Sequence, residues 1–219
     1  CMRFWPDWVW LKDRIDDQTF GQCTGLTLTR IGSVPSWSQA FYGDASRCGG
    51  ALCDLHIHDA DFVRYCFGDP SRVFSAGTIN HVTTVYQFTE IKGRVPFDLK
   101  GTAPFISPHV VAEGAWLPPG TPFTMRYRCA FQHATADFDA AREPQLLLYR
   151  VGQAESVQVS TLTGYDQEIR HVVHAIARRN HKLRATLGAA AAVAELLEAE
   201  RRSIEQGSIV EIQSDGGSD

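Results

Sequence analysis

Two histidines and three aspartates lie within one otherwise apolar segment, GGALCDLHIHDADFVRYCFG, which covers residues 49–68. At about 100° per residue, four polar side chains with the spacing i, i+4, i+7 and i+11 share one strip of a helix. These are Asp54, His58, Asp61 and Tyr65. The leucines and phenylalanines gather on the opposite side. The spacing therefore predicts an amphipathic helix whose polar face carries ionisable groups.

Asp54 and His58 are one helical turn apart, so their side chains can meet. A carboxylate beside an imidazole fixes the imidazole tautomer and stabilises its protonated form. Such a pair can accept the proton of an alcohol, and loss of hydride from a carbon that bears a hydroxyl group requires a base of this kind. The same spacing is common in solvated ion pairs worth about 0.3 kcal/mol, so spacing by itself leaves both interpretations open.

His56 and Asp59 fall among the apolar residues of the same helix. A buried carboxylate needs partners, and for Asp59 we predict hydrogen bonds to nearby backbone. A metal site formed by His56, His58 and Asp61 is a weaker alternative, because the candidate ligands point around the whole helix and match no standard zinc spacing. We predict no metal, and a metal-dependent hydrolase or isomerase stays a third hypothesis.

The rest of the sequence predicts the elements that must hold this helix. A short helix begins at Pro6, residues 23–32 form a strand, and residues 33–50 form a loop. A Pro- and Gly-rich loop covers residues 92–108. Six β-branched or aromatic segments predict a mainly antiparallel sheet: 71–79, 81–91, 109–116, 123–131, 145–151 and 156–162.

Two helices and a short edge strand close the chain. The first helix has Thr163 as N-cap, Asp166 three residues later, and an apolar stripe of Ile169, Val172, Val173 and Ile176. The fold class is α+β, with one large, mainly antiparallel open sheet and helices on one face. Because the other face of the sheet is then bare, we predict a homo-oligomer that forms through it.

Composition excludes several classes of function. The formal net charge of −4 provides no basic field for phosphate backbones, so we predict no nucleic-acid partner. No apolar run reaches the roughly 18 residues of a membrane span, and no signal peptide is visible. The six cysteines include no C-x-x-C pair and are interpreted as reduced, mostly buried thiols. We therefore predict a cytoplasmic protein that does not bind membranes.

The segment GGALCDLHIHDADFVRYCFGDPSRVFS resembles the signature helix and following strand of the glucose–fructose oxidoreductase, inositol dehydrogenase and rhizopine-catabolism family (Gfo/Idh/MocA). The family pattern is a Gly pair, then D-x-x-x-H-D, then an apolar turn that ends in Gly. Asp54 and His58 match its Asp and His. The opening residues resemble the segment that leaves the nucleotide-binding domain, and the closing helices and strand resemble the family's last elements.

The resemblance implies the C-terminal domain of an NAD(P)-dependent oxidoreductase that acts on a sugar, a cyclitol or a related small hydroxylated substrate. It implies that His58 is the catalytic acid/base and that Asp54 supports it. Arg3 would lie near the cofactor, although a helix-flanking salt bridge is an equal possibility for this arginine. Asp61 and Tyr165 would bind substrate, although Tyr165 also suits simple packing.

The sequence departs from the family in one large respect. It contains neither a G-x-G-x-x-G turn nor the family's Glu-Lys-Pro motif, so we expect the nucleotide-binding domain to lie outside this chain. We therefore expect NAD or NADP to be bound mainly by that other domain, no cofactor on this chain alone, and no activity of this chain alone. Residues 1–212 would form the substrate-binding and oligomerisation domain, and residues 213–219 a disordered tail. The alternative is a free-standing, non-catalytic binding or assembly module with the same fold.

Overall fold

The computed structural model of the chain describes residues 1–89, 91, 107–179 and 182–212. Within these residues the strands form one nine-stranded sheet in the order β8-β7-β6-β5-β1-β4-β3-β2-β9. The elements are a 3₁₀ turn (Met2–Phe4), α1 (Pro6–Asp17), β1 (Cys23–Ser33), α2 (Gln39–Tyr42), α3 (Ala45–Cys48), a π-helical turn (Leu52–His56), α4 (Ile57–Phe67), β2 (Arg72–Thr78), β3 (His81–Gln87), β4 (His109–Leu117), β5 (Thr124–Phe131), β6 (Thr135–Asp139), β7 (Leu146–Arg150), β8 (Gln153–Ser156), α5 (Gly164–Ala177), α6 (Leu187–Gln206) and β9 (Val210–Glu211).

The sheet is antiparallel at every pairing except that of β1 with β4, which is parallel. Alternate side chains of the central strand β1 point into the core, as a period of two requires. Leu26 pairs with Val110 on one side and Cys129 on the other, and all three are buried. The α+β class with a mainly antiparallel open sheet is confirmed.

Helices α1 and α4 lie against the inward face of the sheet through a cluster of aromatic rings. The Trp8 ring of α1 packs edge-to-face on Phe62 of α4, with 4.7 Å between ring centroids. On its other side Trp8 contacts Tyr127 of β5 at 5.3 Å and Phe138 of β6 at 6.3 Å. Edge-to-face pairs of this kind stabilise by about 0.5–1.5 kcal/mol beyond burial, and they fix α4 to the sheet.

The outward face of the sheet is charged rather than uniformly apolar. Arg126 of β5 pairs with Asp139 of β6, and Arg128 and Arg142 both pair with Asp137. His81 and Glu113 form a further pair on β3 and β4. The apolar bare face that the sequence suggested is therefore interrupted by cross-strand ion pairs.

Three local predictions differ from the structure. Strand β6, TADFD, was not predicted because aspartate is disfavoured in strands; here both aspartates face arginines across the sheet. Strand β8 covers 153–156 instead of 156–162. The two-residue turn Val151–Gly152 has positive φ at both positions, which matches a type I′ hairpin and brings β8 back directly onto β7.

The segment 33–50, predicted as a loop, contains the short helices α2 and α3. The predicted N-cap of α5 is confirmed, since Thr163 and Asp166 form a reciprocal capping box. Most of the predicted loop at 92–108 and the whole predicted tail at 213–219 lie outside the described residues. Across the described part of the chain, no helix combines the length and apolarity needed to cross a membrane.

Candidate active site

The amphipathic helix predicted within residues 49–68 begins with one turn of π-helix (Leu52–His56) and continues as α4. The N–H of Ile57 donates to the carbonyl of Leu52, five residues earlier, so the turn is one residue wider than an α-helical turn. Its start is fixed to the β2–β3 turn, because the N–H of Leu52 donates to the carbonyl of Ile79. Asp54 lies inside the π-turn, and His58 lies at the start of α4. The helix ends at Phe67, with Gly68 as its C-cap.

The inward side of this helix carries a buried ion pair. The carboxylate of Asp59 accepts from Arg30 of β1, with Nη2 at 2.8 Å from Oδ1 and Nε at 3.2 Å from both oxygens. Neither side chain is more than 3% exposed. Backbone hydrogen bonds were predicted for Asp59, and this prediction was wrong because an arginine at an inward position of β1 reaches the helix.

A second buried network surrounds His56. Its Nε2 lies 2.9 Å from Oε2 of Glu200 on α6 and 3.1 Å from the hydroxyl of Tyr86, which donates to the other oxygen of Glu200 at 2.9 Å. Burial lowers the pKa of His56, but the charge of Glu200 and its hydrogen bond together raise that pKa above the ordinary value. The close approach depends on Gly114, where an added Cβ would lie 2.7 Å from the His56 Cβ.

The outward side of α4 opens onto a small pocket of about 210 Å³. His58 and Asp61 line it together with Arg3 and Thr186. Each nitrogen of the Arg3 guanidinium donates one hydrogen bond within the domain: Nε and Nη2 donate to the two oxygens of Asp61 at 2.9 and 2.6 Å, and Nη1 donates to the carbonyl of Arg184 at 2.7 Å. The salt bridge considered for Arg3 is thus present, and it shapes one wall of the pocket.

His58 is held in its neutral form. Burial, followed by the positive charge of Arg30 beneath the helix, lowers the pKa of His58 to about 4. The imidazole is only half-buried, and it lines the pocket. A neutral imidazole has a ring nitrogen free to accept a proton, but a pKa of about 4 makes His58 a weak base until a neighbouring charge raises that pKa toward neutrality.

The depressed pKa of His58 gives a direct pH test. We expect the His58 ring protons in an NMR titration to shift near pH 4 instead of near 6.5, with assignment by the loss of those signals in His58→Gln. Because the unfolded chain takes up this proton below about pH 6.5 and the folded chain does not, His58 lowers stability progressively as the pH falls from 6.5 to 4. A midpoint at or above 6.5 would contradict the described environment.

The remaining predicted site residues lie elsewhere. Asp54 is half-buried one turn before His58, but no hydrogen bond joins the two in the described part of the chain. Burial raises the pKa of Asp54. Tyr165 of α5 is exposed, packs its ring against Trp5 at 5.8 Å, and lies outside the residues that line the His58 pocket. The structure therefore brings Arg3, His58 and Asp61 together and leaves Asp54 and Tyr165 apart from them.

The geometry also bears on the metal alternative. His56 points into the core toward Glu200, whereas His58 and Asp61 line the pocket on the other side of the helix. Among the described residues, no three His, Cys, Asp or Glu side chains converge as a metal site would require.

Sequence reasoning missed Arg30, Tyr86, Glu200 and Arg184. Two of these had a local signal. Glu200 follows Val193, Leu196 and Leu197 at the spacing of one apolar helix face, and Arg30 follows Leu26 and Leu28 at the inward positions of β1. A charged residue at a core position indicates a buried partner, but it does not say which one.

Comparison with protein families finds a match over part of the chain. The family model described as the GFO/IDH/MocA C-terminal domain matches residues 8–102, a range that includes β1 and the whole D-x-x-x-H helix. Over these residues the chain is similar to that family. Among proteins with curated functions, no sequence matches the chain.

Solved structures of dehydrogenases share the fold of this chain. Levoglucosan dehydrogenase in complex with NADH and levoglucosan superposes with a TM-score of 0.74 at 16% identity, over 97% of this chain and 65% of that one. Myo-inositol dehydrogenase from Corynebacterium glutamicum gives 0.69 at 16%, over 97% and 63%. UDP-N-acetylglucosamine 3-dehydrogenase from Acidithiobacillus ferrooxidans gives 0.68 at 18%, over 93% and 59%. The chain thus spans about three-fifths of the length of these relatives.

Proposed function

We propose that this chain is the substrate-binding domain of an NAD(P)-dependent oxidoreductase, one that transfers hydride between a nicotinamide and a hydroxyl or keto group of a sugar, cyclitol or related compound. The observation that carries the proposal is the placement of His58. It is a half-buried imidazole that is neutral at pH 7, on the wall of a polar pocket and within the D-x-x-x-H helix.

In this proposal His58 accepts the proton of the substrate hydroxyl. Asp54, one turn earlier, has the weaker role of a nearby anion, since no hydrogen bond joins it to His58 among the described residues and it does not line the pocket. The nicotinamide supplies the acceptor for the hydride. This chain has no G-x-G-x-x-G turn to hold a dinucleotide, so we assign the cofactor to a separate nucleotide-binding lobe.

The pocket favours a small hydroxylated substrate. The carboxylate of Asp61 offers acceptors for hydroxyl groups. Ile57, Ala189 and Val193 add apolar surface that can pack against the C–H groups of a sugar ring. A volume of about 210 Å³ is below the roughly 300–1,000 Å³ of complete ligand sites, as expected for one wall of a cleft that a second lobe closes.

The proposal also covers the organisation of the protein. Residues 1–212 act as one substrate-binding and oligomerisation unit in a cytoplasmic homo-oligomer, without nucleic acid or membrane as partners. The alternative, a non-catalytic module with this fold, draws support from Arg3. All three nitrogens of its guanidinium donate within the domain, which leaves one N–H on each Nη for a cofactor.

Binding of simple polyols to this chain tests the substrate-binding role. We expect myo-inositol or levoglucosan, titrated into isotope-labelled protein, to shift the NMR signals of His58 and Asp61 in a saturable way. His58→Gln should weaken this response, and His81→Gln, on the outward face of the sheet, should not. If no polyol perturbs the pocket at tens of millimolar, the non-catalytic module becomes the better interpretation.

A further inference from the structure

Two helices face each other across the pocket that His58 lines. Helix α4 supplies His58 and Asp61, and the first half of α6 supplies Ala189 and Val193. Further along α6, Glu200 lies seven residues after Val193 and therefore on the same helix face, where it is fully buried. A carboxylate at a core position needs specific partners. The partners of Glu200 therefore bear on where α6 lies.

Glu200 receives hydrogen bonds from β3 and from the π-helical turn that precedes α4. The hydroxyls of Tyr86 and Thr84 donate to its two oxygens at 2.9 and 3.2 Å, and Nε2 of His56 lies 2.9 Å from Oε2. Because Tyr86 gives its single hydroxyl hydrogen to Glu200, its oxygen accepts from His56 Nε2 at 3.1 Å. Nε2 of His56 therefore carries a hydrogen whether the ring is neutral or charged.

Further polar contacts tie α6 to the sheet and to α4. The hydroxyl of Ser203 accepts from the backbone N–H of Ser75 on β2 at 2.9 Å, and Nη1 of Arg64 donates to the carbonyl of Ala189 at 3.3 Å. Apolar packing tolerates some sliding of a helix, whereas hydrogen bonds depend on direction and distance. A register shift of one residue would move Glu200 by about 1.5 Å and turn it by about 100°, away from its donors.

We propose that His56 and Glu200 are positioning residues of the pocket, because their contact fixes α6 relative to α4 and so sets the width of the pocket for a small hydroxylated ligand. Ala189 lies eleven residues before Glu200, about 16 Å along the same stiff helix, so a register fixed at Glu200 is kept at the pocket wall. Stability by itself explains the pair poorly, since apolar residues of similar volume often stabilise a core at least as well. The effect on ligand binding rests on the proposed substrate-binding role.

Two buried tyrosines give a matched pair of variants. Tyr86→Phe removes the hydroxyl that donates to Glu200, and Tyr127→Phe removes an equally buried hydroxyl that donates to the carbonyl of Asp7 on α1, also at 2.9 Å. We expect Tyr86→Phe to shift the NMR signal of the Ala189 methyl group. It should also raise the Kd for myo-inositol at least about threefold, since a gap of under about 1 Å already removes much of a van der Waals contact. Tyr127→Phe should leave both quantities unchanged.

A conservative substitution of His56 separates positioning from packing. His56→Gln keeps a nitrogen donor close to the place of Nε2, so the Ala189 signal and the Kd should stay near their wild-type values. His56→Leu removes this donor from the buried carboxylate of Glu200 and should change both quantities more than Tyr86→Phe does. If His56→Leu does not fold, the two tyrosine variants decide.

The inference is overturned if Tyr86→Phe and Tyr127→Phe lose similar stability and neither variant moves the Ala189 signal, because the network then only stabilises the fold. It is also overturned if the signal moves in Tyr127→Phe as much as in Tyr86→Phe. A wild-type chain that binds no polyol would contradict the proposed function instead, since the Ala189 signal reports the position of α6 without any ligand.

Discussion

Replacing His58 with alanine is expected to reduce turnover by about 10²–10⁴-fold in the enzyme that joins this domain to its nucleotide-binding lobe, which is the range for loss of a general acid–base group. This corresponds to about 3–5 kcal/mol of transition-state stabilisation. The reason is local: in the described structure His58 is the neutral imidazole of the pocket, and Asp61, the other ionisable group beside it on α4, is already bound by Arg3. The measurement is kcat and KM for oxidation of a polyol, followed by formation of NAD(P)H.

The matched control for this variant is His81→Ala. His81 is exposed on the outward face of the sheet, and among the described residues its side chain pairs with Glu113. Its removal should leave turnover within about twofold, as for a surface pair worth less than 1 kcal/mol. Asp54→Asn should have a smaller effect than His58→Ala, because no hydrogen bond joins Asp54 to the imidazole in this structure. Near-normal turnover in His58→Ala would remove His58 from the mechanism and, with it, the main support for the oxidoreductase.

The polar strip on the helix could be predicted because helical spacing is a local property of the sequence. The same rule placed His56 and Asp59 on the core side, where the structure finds both fully buried. It could not identify their partners, since Arg30 and Glu200 come from a strand before the helix and a helix near the end of the chain. Contacts between distant segments depend on how the sheet is assembled, so no local sequence pattern predicts them.

The prediction of strands was limited in the same way, because it used local sequence patterns only. β-branched and aromatic runs predicted most of the sheet, but β6 needed its arginine partners on β5 to make two aspartates acceptable in a strand. The apolar stripe of α5 was also evident in the sequence. That this stripe faces solvent follows only from the contacts of His171 with Phe4 and Arg184.

Breaking the buried pair between Arg30 and Asp59 is expected to have the largest effect on stability. Arg30→Met leaves the Asp59 carboxylate in the core without a countercharge, which costs about 3–5 kcal/mol for a buried pair. Urea unfolding followed by circular dichroism measures the loss. Arg126→Met is the matched control, because it removes an arginine from an exposed pair on β5 and should cost less than about 1 kcal/mol.

A double substitution separates the loss of a countercharge from the loss of packing. Arg30→Met/Asp59→Leu replaces both charges with apolar groups of similar volume, and it should recover most of the stability lost in Arg30→Met, because no unpaired charge is left in the core. If the double variant is as unstable as the single one, packing around Arg30 explains the loss instead of charge.

The same double variant also tests how the buried charges of Arg30 and Asp59 change the pKa of His58. Arg30 is the second cause, after burial, of the low pKa of His58, whereas the charge of Asp59 acts in the opposite direction. Removing both charges together leaves burial as the main cause, so the pKa of His58 should rise from about 4 but stay below 6.5. An unchanged His58 titration in a folded double variant would show that the opposite effects of Arg30 and Asp59 on the pKa of His58 cancel, so that burial sets this pKa.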